Sequence, residues 1–262
     1  MWIDTHCHLD APEFAADYRE VAARARAVGV TTLIIPAVTA DTFAAVDHCA
    51  TTVPGAYPAY GLHPLYLDRA GPDDLLRLEQ QLAASRQGPR PAVAVGEIGL
   101  DGYIPAWADP AARERQEQFF VAQLDLARQF NLPVLLHVRR AVDTVLKHLR
   151  RHPVPGGIAH AFNGSRQQAE QFIQLGFKLG FGGTLTYSGS TRIRHLAASL
   201  PLDALVLETD APDIPPAFAP QGPNLPEYLP RYGAVLAELR GMGVEEVEDA
   251  TSRNGREVFG NF

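Results

Sequence analysis

The sequence has few of the residues on which several protein classes depend. Its 262 residues include two cysteines, Cys7 and Cys49, too few for a disulfide framework, which favours a reducing compartment. No apolar run reaches the roughly 18 residues that a membrane-spanning helix needs. No basic segment followed by an apolar one marks a secretory signal. We therefore expect a cytoplasmic protein with no membrane partner.

Positive charge is also scarce. The formal net charge is -7 at pH 7, and lysine occurs only as Lys147 and Lys178. Proteins that bind duplex nucleic acid usually present an extended basic surface. The composition argues against such a surface, but it allows a small site in which metal ions neutralise one or two phosphates.

Hydrophobic residues make up 46% of the chain, in short runs that alternate with longer helical patterns. Most runs are apolar almost throughout, which is typical of parallel strands buried on both faces. This alternation, with a length near the 250 or so residues usual for the fold, predicts an α/β protein with one TIM-type (β/α)8 barrel domain over residues 1–262. The predicted strands lie near residues 2–7, 31–37, 57–61, 92–97, 133–138, 157–161, 177–183 and 204–208.

Cap residues predict where several helices begin. Asp109 followed by Pro110 resembles an N-cap and first-turn pair for a helix through Gln129, and Ser165 is a suitable N-cap for a later helix. The proline-rich segment 211–230 follows the eighth predicted strand. We expect an ordered loop across the barrel mouth here, rather than a linker between domains.

Histidines and carboxylates stand where the predicted strands end, and the carboxyl ends of barrel strands form the active site in this fold. His6 and His8 share one face of the first strand, because side chains alternate with a period of two. Six such groups on one rim would be costly to bury without a cation. Imidazole with carboxylate suits zinc, manganese, iron or nickel, and magnesium less naturally. The candidate metal ligands are His6, His8, Glu97, His137, His160 and Asp210.

Six ligands exceed the four of a closed zinc site and predict two divalent ions. In this hypothesis Glu97 bridges the ions, and Asp210 orients the attacking water and accepts its proton. Arg139 holds a non-bridging phosphate oxygen, and His63 contacts the substrate or protonates the leaving group. One ion takes His6, His8 and Asp210, and the other takes His137 and His160.

Other polar residues have plainer interpretations. Glu208 shares a face with Asp210 and is expected to orient a ligand instead of binding metal. Asp101 is expected to support the turn after the fourth strand. Arg139 keeps the alternative of a surface position, and His63 that of a packing histidine. The remaining histidines are expected to be solvated: His48, His148, His152 and His195.

Together these motifs resemble those of the TatD family of metal-dependent hydrolases, the TatD-like deoxyribonucleases. They occur in family order and cover essentially the whole chain. The resemblance implies a TIM-type barrel, a divalent-metal site at the six candidate ligands, and hydrolysis of phosphodiester bonds in DNA, often from single-stranded ends. Many members have cysteine where this chain has Ala161, a departure that bears on the substrate. The matching segments are 4–10, 61–64, 96–101, 136–139, 160–164 and 207–212.

The expected function is therefore a metal-dependent phosphodiesterase, a deoxyribonuclease acting on DNA ends through metal-activated water, as a monomer with magnesium, manganese or zinc. The alternative is an amidohydrolase-like metallohydrolase acting on a small amide, lactone or phosphoester. Many of those barrels bridge their metals with a carboxylated lysine, but neither Lys147 nor Lys178 ends a predicted strand. A third hypothesis, a non-catalytic metal-binding or scaffold protein, is disfavoured by the intact ligand set.

Overall fold

The computed structural model describes residues 1–260, so the last two residues of the predicted domain, 261–262, lie outside the described residues. Within that range eight parallel strands form one sheet in the order β1 to β8, and they alternate with helices. The TIM-type barrel is confirmed. The strands are β1 (Trp2–Asp4), β2 (Val30–Pro36), β3 (Ala56–Tyr60), β4 (Ala94–Asp101), β5 (Val134–Arg139), β6 (Gly157–Ala159), β7 (Phe177–Phe181) and β8 (Leu205–Leu207).

Backbone hydrogen bonds bring β8 back to β1 and nearly close the barrel. The Thr5 N–H donates to the Leu207 carbonyl at 3.2 Å, and the Asp210 N–H donates to the His6 carbonyl at 2.8 Å. These bonds lie just beyond the carboxyl ends of the two strands. They therefore hold the segments that carry His6 and Asp210 side by side.

Several helices begin where the cap residues predicted. The Asp109 side chain accepts from the Ala111 N–H at 3.0 Å, and Ser165 accepts from the Gln168 N–H at 3.2 Å. Among residues 1–260 we find no helix both long and apolar enough to cross a membrane. The helices are α1 (Tyr18–Ala27), α2 (Phe43–Thr52), α3 (Pro72–Ser85), α4 (Pro110–Phe130), α5 (Val142–Arg151), α6 (Arg166–Gln174), α7 (Thr191–Ser199), α8 (Leu229–Arg240) and α9 (Val244–Phe259).

An apolar plug fills the barrel below its polar rim. It is a cluster of fully buried side chains drawn from six strands. Leu135 shares a face with His137, and Ile158 shares a face with His160, because strand side chains alternate. The histidines therefore point into the barrel directly above the plug. The plug consists of Ile34, Ala59, Ala94, Leu135, Ile158 and Val206.

The proline-rich segment is an ordered loop, but only its first residues border the mouth. Its organising residue is Asn224, which is fully buried and whose side-chain amide donates to the carbonyls of Thr209 at 2.7 Å, Asp213 at 3.0 Å and Ile214 at 3.1 Å. Beyond Ile214 the loop turns away from the cavity, and the Tyr187 hydroxyl donates to one of its carbonyls. The expectation that the whole segment lies across the mouth is therefore too broad.

Candidate metal centre

The carboxylate of Glu97 lies at the centre of the rim and is 2% exposed. Its Oε2 is 3.1 Å from Nε2 of His6 and 3.5 Å from Nε2 of His8. Its Oε1 is 2.9 Å from Nδ1 of His137 and 2.8 Å from Nε2 of His160. The two oxygens of one carboxylate thus face two separate pairs of imidazoles.

Asp210 joins the pair on the Oε2 side. Its Oδ1 lies 3.5 Å from Nε2 of His6 and 3.6 Å from Nε2 of His8. The backbone of Asp210 is left-handed, with φ of 59°, which aspartate tolerates better than most residues. Buried Asp4 holds this turn, since its carboxylate accepts from the Thr209 N–H at 2.9 Å and the Thr209 hydroxyl at 2.6 Å. The turn aims the Asp210 carboxylate at the two histidines.

In His8 and His137, one ring nitrogen faces away from Glu97, and its hydrogen-bond partner determines which nitrogen can offer a lone pair to the centre. Nδ1 of His8 lies 3.1 Å from the Pro36 carbonyl, which can only accept, so Nδ1 keeps its proton and Nε2 is the nitrogen that offers a lone pair to the centre once the ring is neutral. Nε2 of His137 donates to Asp101 at 2.9 Å, which leaves the Nδ1 lone pair facing the centre. Both rings are therefore oriented to bind a cation, as supported ligand histidines are.

Glu208 lies behind His160. Its Oε1 accepts from the Ala161 N–H and is 3.6 Å from Nδ1 of His160. The space for this carboxylate exists because residue 180 is glycine, where a Cβ would lie 2.1 Å from Oε2 of Glu208. Glu208 thus supports the ligand side chain from outside, in keeping with the expectation that it orients a ligand.

His63 reaches the same centre but presents the opposite polarity. Its Nε2 lies 3.1 Å from Oε1 of Glu97 and 3.1 Å from Nδ1 of His137. The Leu65 N–H donates to Nδ1 of His63 at 3.1 Å, so the neutral ring carries its proton on Nε2. Burial lowers the pKa of His63 despite the nearby Glu97 carboxylate and keeps the ring neutral. His63 therefore presents an N–H to the centre, whereas His8 presents a lone pair once its ring is neutral.

Arg139 lies further out, exposed at the edge of an open cavity of about 1680 Å³ above the rim. Its guanidinium carbon lies 3.8 Å from the ring centroid of Tyr103. Asp101, at the end of β4, accepts from the Tyr103 N–H at 2.7 Å as well as from His137. The expected support of this turn is present, and Asp101 additionally holds a rim histidine.

The electrostatics of the rim favour a bound cation. Burial works against the charge on Glu97, but the surrounding histidines outweigh it and lower its pKa well below the usual range. Burial lowers the pKa of His6 to about 3. It also opposes the charge on His8, but the Glu97 and Asp210 carboxylates raise the pKa of His8 to about 9. Once their rings are neutral, the imidazole nitrogens around this one carboxylate fit divalent ions. Three sets of donor atoms lie within 4.8 Å of one another: His6, His8 and Glu97; His6, His160 and Asp210; and His63, Glu97 and His137.

One expectation for the other histidines is wrong. His148 is 8% exposed, and its Nε2 contacts a Glu117 carboxylate oxygen at 2.8 Å. On α5 it shares a face with Val145 and Leu149, which are buried, so the helix carries it against α4. His48, in contrast, is exposed as expected.

Comparison with known proteins identifies the family. The family model described as TatD related DNase matches residues 3–260. The chain belongs to the TatD family. With the donor set at the rim, membership makes it a metal-dependent hydrolase.

Relatives in the TatD family match over nearly the full chain. The uncharacterized metal-dependent hydrolase YjjV of Escherichia coli (strain K12) is 44% identical, covering 98% of this chain and 97% of the relative. The 3'-5' ssDNA/RNA exonuclease TatD of Klebsiella pneumoniae (strain 342) is 31% identical, covering 98% of this chain and 97% of the relative. The crystal structure of the Escherichia coli TatD homologue YjjV superposes with a TM-score of 0.93 at 42% identity, covering 100% of this chain and 98% of that one.

Proposed function

We propose that this TatD-family chain is a phosphodiesterase that uses two divalent ions to hydrolyse single-stranded DNA from its ends. The observation that carries the proposal is the division of the rim by Glu97, whose oxygens face separate imidazole pairs. A carboxylate so placed is suited to bridge two cations. The name of the Klebsiella pneumoniae relative, a single-stranded DNA and RNA exonuclease, supports the substrate class.

The positions of the rim side chains support one division of the ligands between the two ions. Bound ions, magnesium, manganese or zinc, would lower the pKa of water and offset the charge of phosphate oxygens. Glu97 would be the ligand that both ions share, while Asp101 holds His137 from outside and Glu208 supports His160. We assign His6, His8 and Asp210 to one ion and His137 and His160 to the other.

Three side chains would act on the substrate. Asp210 orients the attacking water and accepts its proton. His63 contacts the substrate: its Nε2–H donates a hydrogen bond to the departing oxygen, because its Nδ1 already accepts from the Leu65 N–H. Arg139 binds a non-bridging phosphate oxygen from the mouth.

The role of His63 can be tested with two leaving groups. End-labelled single-stranded oligonucleotides lose an alkoxide, a poor leaving group that needs a hydrogen-bond donor, whereas bis(p-nitrophenyl) phosphate loses a phenolate that does not. His63→Ala should lower the rate on oligonucleotides by about a hundredfold or more and change the rate on the nitrophenyl ester little. His195→Ala, at an exposed position on α7, is the matched control. Equal losses on both substrates would contradict the contact between His63 and the departing oxygen.

The substrate class has its own test. Metal-loaded protein is incubated with single-stranded oligonucleotides and, in parallel, with small amides, lactones and phosphoesters, across magnesium, manganese and zinc. Cleavage of the oligonucleotides supports the proposal. Turnover of a small substrate without oligonucleotide cleavage would establish the amidohydrolase-like alternative instead.

We further propose that the chain acts as a monomeric, single-domain protein of the cytoplasm. Both cysteines are free thiols, as is usual for proteins in a reducing compartment. Burial raises the pKa of Cys49 to about 12 and keeps that thiol protonated. Light scattering coupled to size-exclusion chromatography measures the oligomeric state, and a mass near 28.5 kDa is expected.

A further inference from the structure

The loops around the mouth carry opposite charges on opposite sides. Asp10 and Glu13, in the loop after β1, and Asp41, in the loop after β2, line the cavity. We call these three residues the acidic wall. Asp213, in the loop after β8, extends it, because β8 is held against β1.

The facing side is mainly basic. Arg139 and Arg140 follow β5, and Arg192, at the start of α7, is bonded to the loop after β6; all three line the same cavity. We call these three arginines the basic wall. Asp143, at the start of α5, also lines this side, and the Gln168 side-chain amide donates to it at 2.8 Å. In a barrel with strands in sequential order, β5 and β6 lie across from β1 and β2, so the cavity has a mainly positive side and a negative side, with the metal centre between them.

Neighbouring side chains hold the basic wall in place. The guanidinium carbons of Arg139 and Arg140 lie 3.8 Å and 4.6 Å from the ring centroid of Tyr103. Arg192 donates to the side-chain oxygen of Asn163 at 2.5 Å. Among the described residues none of these three arginines forms an ion pair. The positive charges are thus positioned by uncharged partners and remain available to an anion.

The acidic wall carries the opposite charge and would repel a phosphate. Glu13 is exposed and has no ion-pair partner within the part of the chain that the structure describes, and Asp213 is exposed as well. Asp41 is partly balanced by Arg77, which lies 2.8 Å away and outside the cavity lining. A phosphate placed on this side would meet carboxylates, and like charges close together repel.

We infer that the two walls set the path of an extended substrate. The single strand beyond the scissile phosphate runs across the basic wall, with its next phosphates on Arg140 and Arg192. The acidic wall admits only a terminal nucleoside, since a strand continuing past it would carry phosphates against Glu13 and Asp213. This path restricts cleavage to strand ends, and it rests on the proposed phosphodiesterase function.

The test compares a dinucleoside monophosphate, whose only phosphate is the scissile one, with a decanucleotide of the same sequence type. In the wild type, kcat/KM for the decanucleotide should exceed that for the dinucleotide by about tenfold or more. The double variant Arg140→Glu with Arg192→Glu should remove this gain by raising KM for the decanucleotide. It should also reduce the slope of log KM against log salt concentration by about 0.7 for each phosphate contact that is lost. The dinucleotide rate should stay within about twofold.

Two matched controls sharpen the test. Arg253→Glu, at an exposed position on α9, should leave both substrates unaffected. Glu13→Lys with Asp213→Lys should make circular single-stranded DNA a stronger inhibitor of dinucleotide hydrolysis by about tenfold, because the barrier to a continuing strand is removed.

The outcomes separate the two proposals. Hydrolysis without length dependence, equal losses on both substrates in the Arg140 and Arg192 variant, or cleavage of circular DNA by the wild type would overturn the strand path alone. No turnover of the dinucleotide, the decanucleotide or bis(p-nitrophenyl) phosphate would overturn the phosphodiesterase function, and the strand path with it.

Discussion

The buried rim and the exposed walls of the same barrel mouth are built differently. At the rim, Glu97 and His6 are at most 2% exposed and are fixed by strand ends and by the contact between the His6 ring and the Glu97 carboxylate. At the walls, Arg139 and Arg140 are exposed and are held by contact with one aromatic ring. The rim is therefore suited to chemistry, which needs exact donor geometry, and the walls to substrate binding, which tolerates movement.

The largest loss of activity should follow a substitution in the rim, Asp210→Asn. We expect kcat to fall by about a thousandfold, because a carboxylate that accepts a proton contributes up to about 10⁴-fold. The fold should persist, since asparagine also tolerates the left-handed backbone. Steady-state kinetics and thermal unfolding measure the two effects. Asp249→Asn, exposed on α9 and outside the cavity lining, is the control; an Asp210→Asn enzyme with full activity would show that the water-orienting group is elsewhere.

Metal affinity should depend on pH, because ligands in the rim must lose protons before they bind a cation. In the metal-free protein the pKa of His8 is raised to about 9, and burial raises the pKa of Asp210. Both groups must lose a proton to bind a cation, so affinity should increase as pH rises and weaken as it falls, by about tenfold per pH unit for each proton released. Chelator competition between pH 6 and pH 8 measures this. A metal affinity that does not change over this range would contradict the assigned ligands.

A smaller effect is expected from crowding the support behind the rim. Gly180→Ala places a Cβ against the Glu208 carboxylate, which must move away from His160. We expect metal affinity to drop by about 10- to 100-fold, the usual loss when an outer partner of a ligand is disturbed. Gly189→Ala is the matched control, because nothing lies within 4 Å of a Cβ there. Equal affinities in the two variants would mean that Glu208 does not orient the ligand.

The smallest effect should come from the wall residue nearest the centre. Arg139→Ala should raise KM about tenfold with little change in kcat or metal affinity, because one exposed charge-assisted hydrogen bond is lost. Arg139→Lys should recover part of the loss, since it keeps the charge but not the flat contact with Tyr103. A large fall in kcat for Arg139→Ala would show that this residue takes part in the chemical step. The walls would then not be limited to substrate binding.

The same contrast explains what could be predicted from the sequence. Strand positions and the rim ligands follow from a local rule, because a polar residue that ends a buried parallel strand must lie at the barrel mouth. The fourth strand is longer than predicted and runs to Asp101, with a register irregularity between Val95 and Ile98. That irregularity breaks the period of two, and the sequence pattern therefore does not reveal it.

The rest depends on contacts between distant segments. Asp4 shares a face with His6 by the period of two, so its place in the same motif was the available signal, but its bond to Thr209 crosses the whole chain. Nothing in the sequence around His63 shows that the Leu65 N–H fixes its proton. The position of Gly180 beneath Glu208 likewise requires the barrel to be assembled.

The most direct test of the two-ion rim is anomalous diffraction from crystals soaked in manganese. We predict two peaks, one beside Oε2 of Glu97 among His6, His8 and Asp210, and one beside Oε1, with His63 outside the ligands of both. A single peak, no peak at Glu97, or a peak ligated by His63 would contradict the account. The positions of the peaks are independent of any assumed substrate. The ligands involved are His6, His8, Glu97, His137, His160 and Asp210.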